Sequence, residues 1–415
     1  MPGMTMSGTV GVPMDRNASG TSWIPDVVPE PAHQWTSGGW DLMLHGFAFA
    51  EYDAQRGPRG DSQFGIPNWA MLMATHDLGG GSLQLRSMLS VDAIGVGASG
   101  YPELLQTGEN YHGQPLHDRQ HPHDFFMEVA AMYDHAITSG LAMELYVAPS
   151  GEPALGPPSQ MHRPSAMDNP MVPIGHHWQD ASHVSFGVAT AGLFTRQWKL
   201  EGSIFNGRDP DENRWDFDFN PLDSYSGRIS FNPDSAWSLS ASYGFIRSPE
   251  TLDAGHSMHR TVIAVQNGGR VGTDGHWATT ILWGANTHSD QAGYSNSALA
   301  EGEMVLDANN TIFARGEFVQ KPADDLGLAA PPPFGFAADR SFDVGSLTLG
   351  AIRELTHGRG MTLGLGVLGT VNVVPAALQP AYGSRTPLGA MLFLRVRAAE
   401  SRAMAAGDMR GMKMH

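Results

Sequence analysis

Between Gly39 and Ala398 the chain passes through sixteen short stretches of alternating apolar and polar residues, joined by segments that switch strictly between tight turns and long loops. In Trp198-Lys199-Leu200-Glu201-Gly202-Ser203-Ile204, the set Trp198, Leu200 and Ile204 is opposed by Lys199, Glu201 and Ser203. Successive side chains of a strand point to opposite faces, so each such stretch reads as a strand with one apolar and one polar face. Trp237 to Phe245 repeats the pattern against Ser238, Ser240 and Ser242, and Ile312 to Phe318 repeats it against Arg315 and Glu317. The tight connectors fall at Asp77–Ser82, Ile137–Leu141, Thr195–Trp198, Asn232–Ala236, Asn267–His276, Asp307–Thr311 and Thr356–Met361. Most are only a few residues long and rich in Gly, Asn, Asp or Ser, which supply turn geometry. The long connectors cover roughly 53–66, 96–123, 148–181, 206–222, 247–257, 287–297, 320–341 and 373–386. Short turns on one side and long loops on the other predict a closed antiparallel transmembrane β-barrel, all-β, with both chain ends on the periplasmic, tight-turn side. Asn68 to Thr75, Ser224 to Phe231 and Arg260 to Gln266 are its least clearly patterned strands.

A soluble sandwich would also alternate, so the character of the two faces has to decide. The polar faces collect Arg86, Glu128, Glu144, Glu201, Arg228, Glu301, Glu303, Arg315, Glu317, Arg395 and Arg397. An oily sandwich core cannot take so many ions, whereas a polar barrel interior can. Trp198, Trp237 and Trp277 stand at strand ends beside tight turns, where an aromatic girdle meets the bilayer edge. No apolar run approaches the roughly 18 to 20 residues of a spanning helix. The 50 glycines among 415 residues suit curved, tilted strands. The absence of cysteine excludes disulfides and thiolate metal sites, and a net charge of −17 argues against nucleic acid as a partner. Met1 to Met14 lacks the basic start and apolar core of a secretory leader, so a leader is expected to have been removed or to lie outside this sequence. Three segments are expected: an arm at 1–38 on the periplasmic side, the barrel at 39–398 and a periplasmic tail at 399–415.

Methionine marks both ends. Met1, Met4, Met6 and Met14 stand in a Gly, Ser, Thr and Pro background, and Met404, Met409, Met412, Met414 and His415 close the chain. Thioethers in such segments have no packing role, but they are soft ligands that select Cu(I), and Ag(I) for the same reason. With these ends attached to a barrel, the chain resembles the outer-membrane barrels of bacterial copper-resistance systems, which carry Met-rich periplasmic segments. That resemblance implies copper or silver handling, outer-membrane lipid as surroundings and a periplasmic metal-binding protein as partner. The competing reading is a general porin or structural barrel with incidental methionines. A homo-oligomer is compatible with either.

A second set of candidate ligands lies in two long loops: His112, His117, His121 and His123 in one, and Met161, His162, Met167, Met171, His176, His177 and His183 in and beside the next. Neighbouring loops can fold together at a barrel mouth, where imidazole and thioether would suit copper. Equally, these histidines with Asp118, Arg119, Asp124, Arg163, Asp168 and Asp180 can form a hydrogen-bonded plug, stiffened by the proline-rich run Glu152 to Pro158. The acidic loop Asn206 to Asp218 makes calcium a second candidate ion, although it departs from the calcium-loop pattern and its Arg208 and Arg214 can neutralise its own acids. No nucleophile elbow, phosphate loop or cofactor fingerprint occurs, so no enzyme activity is expected.

Overall fold

The computed structural model describes residues 8–399, apart from 251–254, 274, 290–292, 330–333 and 358–359. Among these, sixteen long strands follow one another around a closed antiparallel sheet: β1 Trp40–Gln55, β2 Asn68–Leu78, β3 Gly81–Leu89, β4 Phe126–Ala136, β5 Ala142–Gly151, β6 Ser185–Phe194, β7 Trp198–Phe205, β8 Ser224–Phe231, β9 Trp237–Arg247, β10 Ser257–Val271, β11 Gly275–His288, β12 Ser295–Asp307, β13 Asn310–Pro322, β14 Ser341–His357, β15 Met361–Val373 and β16 Leu388–Ala398. Closure comes from β1 against β16, in register from Phe47 opposite Arg397 to Gln55 opposite Gly389. Every strand therefore has a partner on both sides, and the unpaired edge of an open sheet is gone. Three expected strands prove regular, with Ser224–Phe231 having the bounds read from sequence. The turn between β10 and β11 is tighter than expected, spanning only Val271 to Gly275.

Alternation sorts the two faces as the sequence suggests. Leu200, Ile229, Ile263, Ile281, Ile312, Leu349, Val367 and Leu392 are exposed on the outside, where lipid would cover them. Glu201, Arg228, Glu301, Glu303 and Arg315 are buried inside, and Glu317 shares their face. Trp198 and Trp237 lie exposed at the tight-turn rim. Among the described residues no helix is long and apolar enough to cross a membrane. The barrel crosses with strands instead.

Two segments fill the interior. The first corrects the expectation of a free N-terminal arm: residues 16–24 are buried inside the barrel, and Ala32–Ser37 adds a strand to β1, Ala32 lying opposite His45. Arg86 donates to the Gly20 and Asn17 carbonyls at 2.5 and 3.1 Å, while Lys199 reaches the Asn17 side chain at 3.3 Å and Glu144 at 3.1 Å. The second is the loop after β5, whose residues 152–176 are all buried. Arg163 there ties Asp180 at 2.5 Å and Glu301 at 2.7 Å, and Arg395 pairs with Asp168. The two segments meet at Arg228, which donates to Ser22, Thr21, the Gly156 carbonyl and Glu201 at 2.6 to 2.9 Å. Gly20 sits at this junction with φ +50°, and an added Cβ would stand 2.8 Å from Glu152, so the close approach requires glycine. The inner charges expected to face water are thus largely spent on the plug, because buried ions need partners.

Two outcomes follow. Ile281→Arg, at the middle of the lipid face of β11, should cost about 2–4 kcal/mol of folding free energy in vesicles, read by urea titration. Arg228→Ala, which leaves Glu201 short of its main partner, should cost about 3–5 kcal/mol and make the N-terminal segment cleavable by protease.

Candidate functional site

At the extracellular mouth, five histidines from two loops close a ring. His121, His177, His176, His183 and His123 follow one another with neighbouring centroids 6.3, 5.6, 5.1, 5.4 and 6.4 Å apart. Loop folding thus brings together five of the histidines singled out from sequence. Each of several rings has an oxygen partner: His121 faces Glu109 at 3.1 Å, His123 Nδ1 faces Asp92 at 2.8 Å, and His176 Nδ1 faces Asp180 at 2.7 Å. Arg214 crosses to Glu109 and Asp124 at 2.5 and 3.1 Å, and Arg208 pairs with Asp223 at 2.8 Å. Among the described residues neither arginine forms an ion pair with Asp211, Asp216 or Asp218, contrary to the sequence expectation; these three carboxylates offer atoms within 4.8 Å of one another on an exposed loop.

The other loop residues separate. His112 lies at the tip of the hairpin Tyr101–Tyr111/Gln114–Gln120, where its backbone N–H donates to Glu212 at 2.7 Å. His117 contacts the Asp325 carbonyl at 3.1 Å. Met14, expected in a free arm, instead lines a small cavity with Val12, Trp23, Gln84, Glu144 and Phe194 at the plug base. Met1, Met4, Met6, Met404, Met409, Met412, Met414 and His415 lie outside the described residues.

Met161 and His162 lead to the larger finding. Met161 belongs to, and His162 lies against, an interior cluster holding nine methionines among the described residues: Met43, Met71, Met73, Met88, Met127, Met161, Met167, Met171 and Met391. Wall register aligns them, with Met43 opposite Met73, and His45 opposite Met71, which in turn lies opposite Met88. Met43 is near the periplasmic start of β1 and Met391 near the extracellular start of β16, so the cluster runs between the two ends of the wall. Phe47, Phe49, Trp69 and Phe393 pack among the thioethers. His45 and His162 are 3% and 2% exposed, with rings 5.4 Å apart. His162 Nε2 stands 3.3 Å from the Met88 sulfur, and Glu30 from the plug reaches His45 Nδ1 at 2.6 Å. The signal was present in Met43-Leu44-His45 and Met71-Leu72-Met73, where period two sends both marked residues to one face. Methionines inside hydrophobic strands read as ordinary wall residues until the loop methionines join them.

This is a porin-like outer-membrane β-barrel with a polar, plugged interior. By fold it is similar to an anion-selective porin from Comamonas acidovorans (TM-score 0.52, 11% identity, covering 87% of this chain and 99% of that one). Similar coverage is found for Salmonella typhi OmpF in complex with daunomycin (TM-score 0.52, 9% identity, 88% and 100%) and for Pseudomonas putida OprB (TM-score 0.50, 11% identity, 87% and 94%). No family model matches the chain, and no characterised protein matches it by sequence.

The histidine ring should make the mouth acid-sensitive. Burial, then the neighbouring His176, pushes His183 down to about 3; burial also lowers His121 and His177. Unfolded histidine takes a proton near pH 6.5, so between about pH 6.5 and 3 the open form binds more protons. The ring's stability is full above that window and falls as pH drops through it. Once the intrinsic slowing of amide exchange in acid is divided out, protection at residues 176–183 should therefore fall between pH 7.5 and 5, while protection in β11 to β13 stays unchanged.

Proposed function

We propose that the protein captures Cu(I) or Ag(I) and holds it within the barrel for handover across the outer membrane. The observation that carries this reading is the interior methionine cluster, in which thioethers from wall and plug loop face one another in a space closed to bulk water. Thioether sulfur is soft and uncharged, so it favours a polarisable monovalent ion and gives little to hard cations. Several weak ligands in succession suit passage, because conduction needs sites that release as well as bind. The process is ligand exchange without catalysis. The methionine-rich ends, on this reading, gather ions on the periplasmic side, where a metal-binding protein is the natural exchange partner. Resemblance to copper-resistance barrels points the same way.

A diffusion porin is the second reading, favoured by likeness to proteins named as porins. The two differ in what they require. A porin needs a standing aqueous path, whereas residues 16–24 and 152–176 occupy this interior.

Full-length protein in detergent should bind Ag(I), and Cu(I) under reducing conditions, against a competing chelator. Met71→Leu, Met73→Leu and Met391→Leu together should lower that affinity at least about tenfold while leaving folding nearly unchanged, since Leu and Met exchange at small cost. Deleting 1–7 and 400–415 should reduce the number of ions bound but leave the interior sites. No Ag(I) binding by the intact chain, together with steady conductance in planar bilayers, would replace this reading with the porin.

A further inference from the structure

Beside the methionines, three separate parts of the chain bring unlike donors to one point. Glu30 comes from the plug segment, His45 from β1 and His162 from the loop after β5; each offers a ligand atom, and these atoms all lie within 4.8 Å of one another. Met88 on β3 adds a sulfur 3.3 Å from His162 Nε2. Two donors held about 2.0–2.2 Å from one ion stand roughly 3–4.4 Å apart, so an ion would part Glu30 from His45 Nδ1, now 2.6 Å away, by about half an ångström, while the other separations, all within 4.8 Å, are of the right order. Trp69 lies against both imidazoles, with centroids 5.2 and 4.7 Å away, and keeps water from them. His162 Nδ1 is buried with no hydrogen-bond partner among the described residues.

We infer that Glu30, His45 and His162, with Met88, form a binding site for one divalent copper ion that fastens the plug to the wall. The inference rests on the reading above only in that copper must reach the interior. Its donor set is different: two imidazoles and a carboxylate favour a borderline divalent ion, and Cu²⁺ stands highest for such ligands in the first-row series. Zn²⁺ takes the same nitrogens and oxygens, but thioether is foreign to its usual shell, so Met88 tilts the choice to copper. Binding would join the N-terminal segment, the barrel wall and the plug loop through one centre, and coupling of metal to folding follows because the ligands come from distant parts of the chain.

The test titrates full-length protein in detergent with CuSO₄, without reductant, and follows electron paramagnetic resonance. One Cu²⁺ per chain with a nitrogen-coupled spectrum is expected, bound more tightly than Zn²⁺. His162→Asn and Glu30→Gln should each weaken it by about tenfold or more, with retained heat-modifiable gel mobility showing that the barrel still folds. The Met71, Met73 and Met391 leucine variant should keep the Cu²⁺ spectrum while binding Ag(I) at least about tenfold more weakly, so the two readings fail separately. A chain that binds Ag(I) but no stoichiometric Cu²⁺, a spectrum unchanged in His162→Asn, or Zn²⁺ binding as tight as Cu²⁺ would each overturn the assignment.

Discussion

In a bilayer core no water is present to satisfy a backbone amide, so the pairing of β1 with β16 is the contact on which everything else depends. Once Phe47 lies opposite Arg397 the sheet has no edge, and period-two alternation divides every strand between lipid and interior. Outer positions can then be uniformly apolar. Inner positions are released from that demand, which is why Arg228, Arg315 and Arg395 can be among the most deeply buried side chains of the protein.

What fills the interior follows from the cost of those ions. Guanidinium and carboxylate groups taken from water must be repaid by partners, and the chain supplies them from two of its own segments. Around β3, β5, β7 and β8 the partners are plug carbonyls and hydroxyls together with the wall acids Glu144 and Glu201, meeting at Arg228. Around β1, β2, β3 and β16 the filling is methionine and aromatic instead. One interior thus has a polar sector that anchors the plug and a soft sector whose chemistry suits a monovalent metal. Glu30, His45 and His162 lie where plug, wall and loop meet, which gives the anchoring and the metal chemistry a common place.

Strand positions and face assignments were legible because they depend on local rules. Trp198, Leu200 and Ile204 could be placed outside, and Glu201 inside, from spacing alone, since a one-residue slip would expose a charge to lipid. The plug was not legible. Residues 16–24 are short in regular structure and rich in small polar groups, a composition shared with solvated arms, and their ordering comes from Arg86, Lys199 and Arg228, 66 to 207 positions away in the chain. The pairing of Arg214 with Glu109 and Asp124 escaped notice for the same reason: the nearer acids were sequence neighbours, while the actual partners arrive from another loop.

The sequence by itself determined the strand count, the alternation of turns and loops, and which residues face inward, because these follow from a period of two and from turn chemistry within a few residues. It also marked methionine and histidine as the unusual ligands, although it pointed to the ends of the chain and to two long loops rather than to the barrel wall. Tertiary structure alone decided that the arm enters the barrel, that five histidines close a ring at the mouth and that nine methionines from wall and loop share one interior cluster. Those facts depend on distances between residues remote in sequence, which are set only when the sheet closes and fixes where each loop must return.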